Sequence, residues 1–415
     1  MCVVCGSCAA DDVGGQRKVW GTGREKKEEA VKKIGFVNFD MSIRGGGQQV
    51  LCNIANALAA EEAGESFAEG AGGNFAEEAS GSYEIHVISL THEKGTCAYS
   101  LDPRIHYHNV LPGRRRIREV VMGAGKEFRA YCLEQGIELL FYVAVYAGFC
   151  GGILGRRLKV PKIFCDHGSL LSQWDDKVSR TLRRFGRKYA DRTVVLTKQS
   201  EAAYYEKFHC QPGEVMTIYN WIDDKVLKHA GAYDADSRKL LTAGRFSPEK
   251  GMDLLVDVAA ALRKKTQDFV WEVYGEGEMF DGIKKRIRDE GLQDNVVLMG
   301  LTDRMETCYR GHCMYVLTSY REGLPLVLLE AKANHLPAVS FDIVSGPAEI
   351  IRDGSDGILV PPYDTERMAE EIYQLLTDRE RRVDMSEHCS DNQKEFEREK
   401  ILNQWKALIE EMYGC

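Results

Sequence analysis

The sequence predicts two α/β domains, each a parallel, doubly wound sheet. Three observations carry that expectation. Short apolar runs alternate with helical stretches from residue 33 almost to the C-terminus, and such alternation builds parallel sheets covered on both faces. At 415 residues the chain is long enough for two cores of ordinary size. A polar stretch at 225–236 breaks the alternation near the middle and reads as the linker. The expected layout is a tail (1–32), a first domain (33–224) with a surface insertion (60–82), a second domain (237–395), and a last helix (396–415) packing back toward the first domain.

Composition narrows the function. A net charge of -8 lacks the basic footprint of a nucleic-acid binder. No apolar run is long enough to span a bilayer, and the N-terminus lacks the basic and apolar regions of a secretory signal. Thirteen cysteines, an odd number and mostly scattered, suit reduced thiols in a cytoplasmic protein. Cys2, Cys5 and Cys8 have metal-like spacing but no fourth ligand nearby, so no metal is expected there.

In the first half, residues 33–39 (KIGFVNF) read as a buried strand and 50–62 as an apolar-periodic helix. Gly45, Gly46 and Gly47 open that helix and let a ligand approach the backbone. The loop is neither GxGxxG nor a P-loop. Residues 60–82 are rich in Ala, Gly and Glu, as a surface insertion would be. A strand at 83–90 precedes the basic cluster at 111–118. Helices at 120–135, 148–157, 179–190 and 198–208 then alternate with strands at 137–143, 162–168 and 192–197, and a strand and a turn over 215–223 close the first half. His167 ends the 162–168 strand, where a polar side chain faces the ligand crevice of a parallel sheet. Asp234 and Asp236 form a DxD pattern, but it lies in the linker before a strand and reads as coincidence.

The second half repeats the alternation. A strand at 239–245 delivers Gly244 and Arg245 into a loop that Lys250 and Gly251 close. Helix 252–265, strand 271–277, helix 283–291 and strand 295–300 follow. Strand 314–319, a tight loop and helix 327–333 come next, with Pro325 expected at the first helical position. Strand 337–342, helix 348–354, strand 358–362 and the final helices complete the chain.

The stretch 318–330 (TSYREGLPLVLLE) organises the whole. Its loop and first helical turn, Gly323, Leu324, Pro325, Leu326 and Val327, offer N–H groups (all but Pro325, which has none) and a partial positive charge to an anion. Arg245 and Lys250 are a natural clamp for a diphosphate, one a fork and the other a point charge. Gly275 and Leu301, at neighbouring strand ends, can line a flat base, and Glu330 can accept hydrogen bonds from a ribose. That set describes a nucleotide diphosphate across the second domain. Glu322 would meet whatever the distal phosphate carries.

On these motifs the chain resembles the retaining glycosyltransferases of family 4, which have the GT-B fold. The resemblance rests on GRFSPEKG (244–251), YGEGE (274–278), the E-x7-E of Glu322 and Glu330, and SFDIVSGPAEII (340–351). GGGQQVLCNIANAL (45–58), CDHGS (165–169) and YNWID (219–223) extend it to the first half. It implies two Rossmann-like domains facing across a cleft. It also implies transfer of a hexose or N-acetylhexosamine from a nucleotide sugar, UDP-linked, to a glycan or lipid-linked acceptor, as in bacterial surface polysaccharide synthesis. By the same resemblance Arg245 and Lys250 hold the diphosphate, Glu322 and His167 meet the donor sugar, Glu330 meets the ribose, and Gly45–Gly47 pack on the phosphates. It implies retention without a metal or other cofactor. One departure is His335, where the family often has glycine, so His335 or Asn334 is expected to take a left-handed conformation. A sugar-nucleotide epimerase and a non-catalytic sugar-nucleotide-binding protein are the alternatives. Arg114, Arg115, Arg116 and Arg118, with Arg183, Arg184, Arg187 and Lys188, suggest peripheral contact with an anionic membrane at its cytoplasmic face.

Overall fold

A computed structural model describes residues 31–61 and 83–414. The Cys2, Cys5, Cys8 group and nearly all of the expected tail and insertion lie outside those residues. The first sheet contains β1 (Lys32–Asp40), β2 (Tyr83–His92), β3 (His106–Pro112), β4 (Leu139–Val143), β5 (Lys162–Asp166), β6 (Arg192–Val195) and β7 (Val215–Thr217). Its order is β3-β2-β1-β4-β5-β6-β7, and every pairing is parallel. Around it lie α1 (Gly46–Glu61), α2 (Ile117–Gly123), α3 (Gly125–Glu134), α4 (Val145–Leu154), α5 (Lys177–Lys188) and α6 (Lys198–Phe208).

A short helix, α7 (Asp224–His229), occupies the expected linker. The sequence there reads as loop. Asp223 caps the helix by accepting from Lys225 N, a local bond that polar composition alone hides. The second sheet has β8 (Lys239–Ala243), β9 (Val270–Tyr274), β10 (Val296–Gly300), β11 (Met314–Leu317), β12 (Ala338–Phe341) and β13 (Gly357–Val360). Its order, β10-β9-β8-β11-β12-β13, is again all parallel. Its helices are α8 (Met252–Arg263), α9 (Phe280–Asp289), α10 (Met305–Cys308), α11 (Leu326–Ala333), α12 (Pro347–Ile350), α13 (Thr365–Thr377) and α14 (Arg379–His388).

The last helix, α15 (Arg398–Tyr413), returns to the first domain. Ile401, Leu402, Trp405, Leu408, Ile409 and Met412 join Ile34, Phe36 and Phe141 in one buried cluster. Phe36 stacks on Phe141 with centroids 4.8 Å apart, and Trp405 meets Phe141 edge-on at 5.7 Å. Each large apolar side chain so buried contributes roughly 1.5–3 kcal/mol.

Several expectations need correction. The strand β3 was not anticipated: it is an edge strand whose only buried residue is Val110, so its apolar signal is weak. The helix expected at 120–135 is two helices meeting at Ala124 between Gly123 and Gly125. Pro325 is the N-cap of α11, extended at ψ 101°, and the helix starts at Leu326. Arg183 does not belong to a surface cluster: it is fully buried, with Nε 2.6 Å from Asp166. Arg187 is tied to Glu214 at 2.8 Å. His335 is left-handed, with φ 59°, as the missing glycine led us to expect.

Candidate active site

The carboxyl ends of both sheets face one crevice. From the first sheet, β1 runs into the loop before α1. Gly45 N donates to the Tyr99 hydroxyl at 3.1 Å, and that hydroxyl donates to Gly45 O at 3.2 Å. Gly47 lies beside His167, since a Cβ there would stand 3.9 Å from the ring Nδ1. His167 follows β5 and is held by its neighbour. Asp166 accepts from Gly168 N at 3.0 Å, from Arg183 and from the Tyr204 hydroxyl at 2.7 Å. Both ring nitrogens of His167 are shielded from solvent without a hydrogen-bond partner among the described residues. Burial lowers its pKa to about 4, against the attraction of Asp166, so the ring is neutral near pH 7.

From the second sheet, β8 leads through Gly244 to Arg245 and Lys250. Gly251 has φ 60°, and a Cβ there would stand 2.0 Å from the Thr318 carbonyl oxygen, so only glycine lets the two loops touch. That contact sets Lys250 against the loop after β11. Lys250 Nζ reaches both Glu322 oxygens at 2.8 and 2.9 Å, and Ser319 Oγ donates to Glu322 Oε1 at 2.7 Å. The Glu322 side chain is only 8% exposed. Ser345 Oγ donates to Glu322 O at 2.8 Å and fixes the loop from the far side.

The two halves meet at this point. A Cβ on Gly323 would lie 2.6 Å from His167 O, so the E-x7-E loop rests on the His167 backbone. Arg245 donates to Arg44 O, and Arg44 pairs with Asp303 at 2.6 Å. Leu324 and Pro325 are buried beneath the loop, whereas Leu326 and Val327 are partly open at the start of α11. A helix start leaves N–H groups without intrahelical partners. Glu330, one turn on, accepts from the Tyr309 hydroxyl. Burial raises the pKa of Glu330, and the Tyr309 bond opposes that rise. Gly275 N donates to Gly300 O at 2.8 Å, which sets the ends of β9 and β10 side by side with Leu301 59% exposed beyond them.

The structure thus gathers Gly45–Gly47, His167, Arg245, Lys250, Glu322 and Gly323 around the crevice, with Glu330 deeper along α11. The expected clamp lysine and the expected sugar-facing glutamate are bonded to each other. Tyr309, Tyr99 and Ser319 were missed. Each acts through a contact between segments far apart in sequence or through a lone hydroxyl, and no motif marks it. Asp234 and Asp236 lie outside the crevice, and Asp236 pairs with Arg379 at 2.9 Å.

Two family models match consecutive stretches of the chain. Residues 44–226 match Glycosyltransferase Family 4 and residues 224–391 match Glycosyl transferases group 1. The chain is a GT-B glycosyltransferase. An uncharacterized glycosyltransferase of Haemophilus influenzae is 25% identical over 385 residues, 91% of this chain and 100% of its own. Sucrose-phosphate synthase from Thermosynechococcus elongatus superposes with a TM-score of 0.76 at 19% identity, over 92% of this chain and 99% of its own, a likeness of fold. A point mutant of Staphylococcus aureus TarM, solved with Fondaparinux, α-GlcNAc-glycerol and UDP, gives a TM-score of 0.60 at 25% identity. That match covers 67% of this chain and 57% of TarM. In the present glycosyltransferase the loops at Gly45 and His167, in the first matched stretch, touch those at Arg245 and Gly323, in the second.

Proposed function

We propose that this glycosyltransferase moves a hexose or N-acetylhexosamine from UDP to a glycan or lipid-linked saccharide with retention of anomeric configuration. The observation that carries the reading is the meeting of Lys250, Glu322 and the His167–Gly323 contact at the mouth between the two sheets. TarM, a structural relative, was solved with UDP, which supports a UDP-linked donor.

In this reading the diphosphate lies between Arg245, Lys250 and the first turn of α11. Charge grows on it as the bond from the anomeric carbon to the distal phosphate oxygen breaks. Two cationic side chains and a helix end stabilise that charge without needing a metal. Lys250 then exchanges part of its bond with Glu322 for the phosphate, which frees Glu322 to bind sugar hydroxyls. Neutral His167 offers a second polar contact to the sugar. Glu330, steadied by Tyr309, takes the ribose. No carboxylate of the motifs is assigned as a covalent nucleophile. The acceptor hydroxyl attacks on the face the diphosphate leaves, and its proton passes to the departing phosphate oxygen.

The acceptor side suits work at the inner face of a membrane. Arg114, Arg115, Arg116 and Arg118 are exposed just before and within α2. Both α2 and α5 pack on α4, so exposed Arg184 and Lys188 belong to the same helical layer. Among the described residues no helix is long and apolar enough to cross a bilayer.

A panel of nucleotide sugars screened by thermal shift identifies the donor, since a tight ligand raises the melting temperature by mass action. Turnover with that donor and an acceptor extract, followed by NMR of the new anomeric centre, tests the rest. An inverted product overturns the mechanism. Free UDP with an altered sugar and no acceptor replaces transfer by epimerisation. Donor binding without turnover on any acceptor leaves a binding protein.

A further inference from the structure

At the far end of the first sheet, away from the crevice, β2 and β3 begin side by side. Glu84 and His86 are two apart on β2 and so share a face. His106, the first residue of β3, is registered opposite His86. The two imidazoles stack with centroids 4.7 Å apart. One ligand atom from each of Glu84, His86 and His106 lies within 4.8 Å of the others, the one such His/Cys/Asp/Glu group among the described residues.

We propose that Glu84, His86 and His106 form a binding site for a divalent ion of the zinc class, separate from the sugar-transfer crevice. Two imidazoles and a carboxylate are the donors that zinc takes in tetrahedral sites, with bonds of about 2.0–2.2 Å. Such bonds set neighbouring ligands roughly 3.3 Å apart. His86 Nε2 and Glu84 Oε1 stand 3.0 Å apart, near that spacing. The other nitrogen of His86, Nδ1, is 2.8 Å from the Tyr131 hydroxyl. A metal-ligating histidine is commonly oriented by a bond at its second nitrogen, so Tyr131 on α3 serves as the orienting partner. His86 is fully buried and fixed, whereas His106 is exposed and can swing in to complete the set. The fourth position faces solvent and takes water.

Lys33 is the competitor. Its Nζ lies 3.0 Å from Glu84 Oε2 and 3.1 Å from Oε1, where it neutralises the carboxylate. The ion therefore displaces Lys33 from at least one oxygen. This gives the proposal a two-sided signature: loss of a ligand weakens metal binding, and loss of Lys33 strengthens it. A bound ion would tie edge strand β3 to β2.

The test uses the full chain with Cys2, Cys5 and Cys8 changed to serine, so that zinc on those thiols is not counted. Zinc is titrated by calorimetry, cobalt by its visible absorption, and the melting temperature is followed with each. One zinc per chain is expected, with a rise in melting temperature and a tetrahedral cobalt spectrum. His106→Ala, at an exposed position that leaves folding intact, should abolish the site, and Tyr131→Phe should weaken it about 10- to 100-fold. Lys33→Met should tighten it severalfold. UDP affinity should stay the same in every variant. Zinc bound by His106→Ala with unchanged affinity and stoichiometry overturns the site, as does a Lys33→Met variant that binds zinc no better than its parent. No zinc uptake by the parent protein also overturns it.

Discussion

Lys250→Met gives the sharpest test of the crevice. Lys250 Nζ bonds both oxygens of Glu322, whose one other side-chain bond among the described residues is to Ser319 Oγ at 2.7 Å. The lysine is 28% exposed and the glutamate 8% exposed, so the pair is partly sheltered. Breaking a fully buried pair costs about 3–5 kcal/mol, and solvent at the lysine reduces that here to about 1–2 kcal/mol. The substitution should therefore lower the urea midpoint. It should also remove a charge-assisted contact to the diphosphate, worth about 1.5–3 kcal/mol. That corresponds to a UDP affinity roughly 10- to 150-fold weaker. The double variant Lys250→Met/Glu322→Gln separates the two effects. Without a stranded carboxylate it should recover most of the lost stability, yet bind UDP as weakly as the single variant. Calorimetry and urea unfolding on the three proteins measure both quantities. UDP affinity equal to wild type in Lys250→Met refutes the diphosphate clamp. UDP affinity restored in the double variant shows that Lys250 merely neutralises Glu322.

Three further outcomes are expected. Glu322→Gln should cut turnover far more than UDP affinity, whereas Glu330→Gln should weaken UDP itself; kinetics and calorimetry on both decide whether the glutamates are assigned in the right order. Because burial holds His167 near a pKa of about 4, below its unfolded value, the unfolded chain binds more protons across roughly pH 4–6.5 and stability falls as pH drops through that window; urea midpoints of His167→Gln against pH should show a shallower fall. The protein should co-sediment with anionic vesicles at low salt, less with neutral ones, and release at high salt; Arg114–Arg116 changed to serine should weaken this and leave UDP affinity alone.

The alternation of strands and helices was legible, because a buried parallel strand and a two-faced helix leave opposite periodicities. The helix expected at 198–208 is α6 to the residue. What stayed hidden depends on partners distant in sequence. The edge strand β3 carries His106, Tyr107, His108 and Asn109, and its neighbour β2, not its own pattern, makes it a strand. Arg183 looked like a solvated cation beside Arg184, and only its bond to Asp166 takes it inside. At the crevice the motif loops were legible. The bond of Tyr309 to Glu330 was not, since nothing in RMETCYRG marks one tyrosine as buried under a helix of another segment. Nor could the sequence show that Lys250 and Glu322, 72 positions apart, pair directly.

The return of α15 to the first domain bears on the order in which this protein can fold. Ile401, Leu402, Trp405, Leu408, Ile409 and Met412 are part of the core laid over β1 and β4, yet a ribosome makes them only after the whole second sheet. Nascent chains are extended at about 5–20 residues per second, and domains commonly fold in the order of their synthesis. Here that order is inverted at α15. The second domain has its sheet and α13 in hand before α15 emerges, whereas the cluster around Phe36 and Phe141 in the first lacks Trp405 and its neighbours until then. During that interval the earlier half is the one exposed to chaperones and to aggregation.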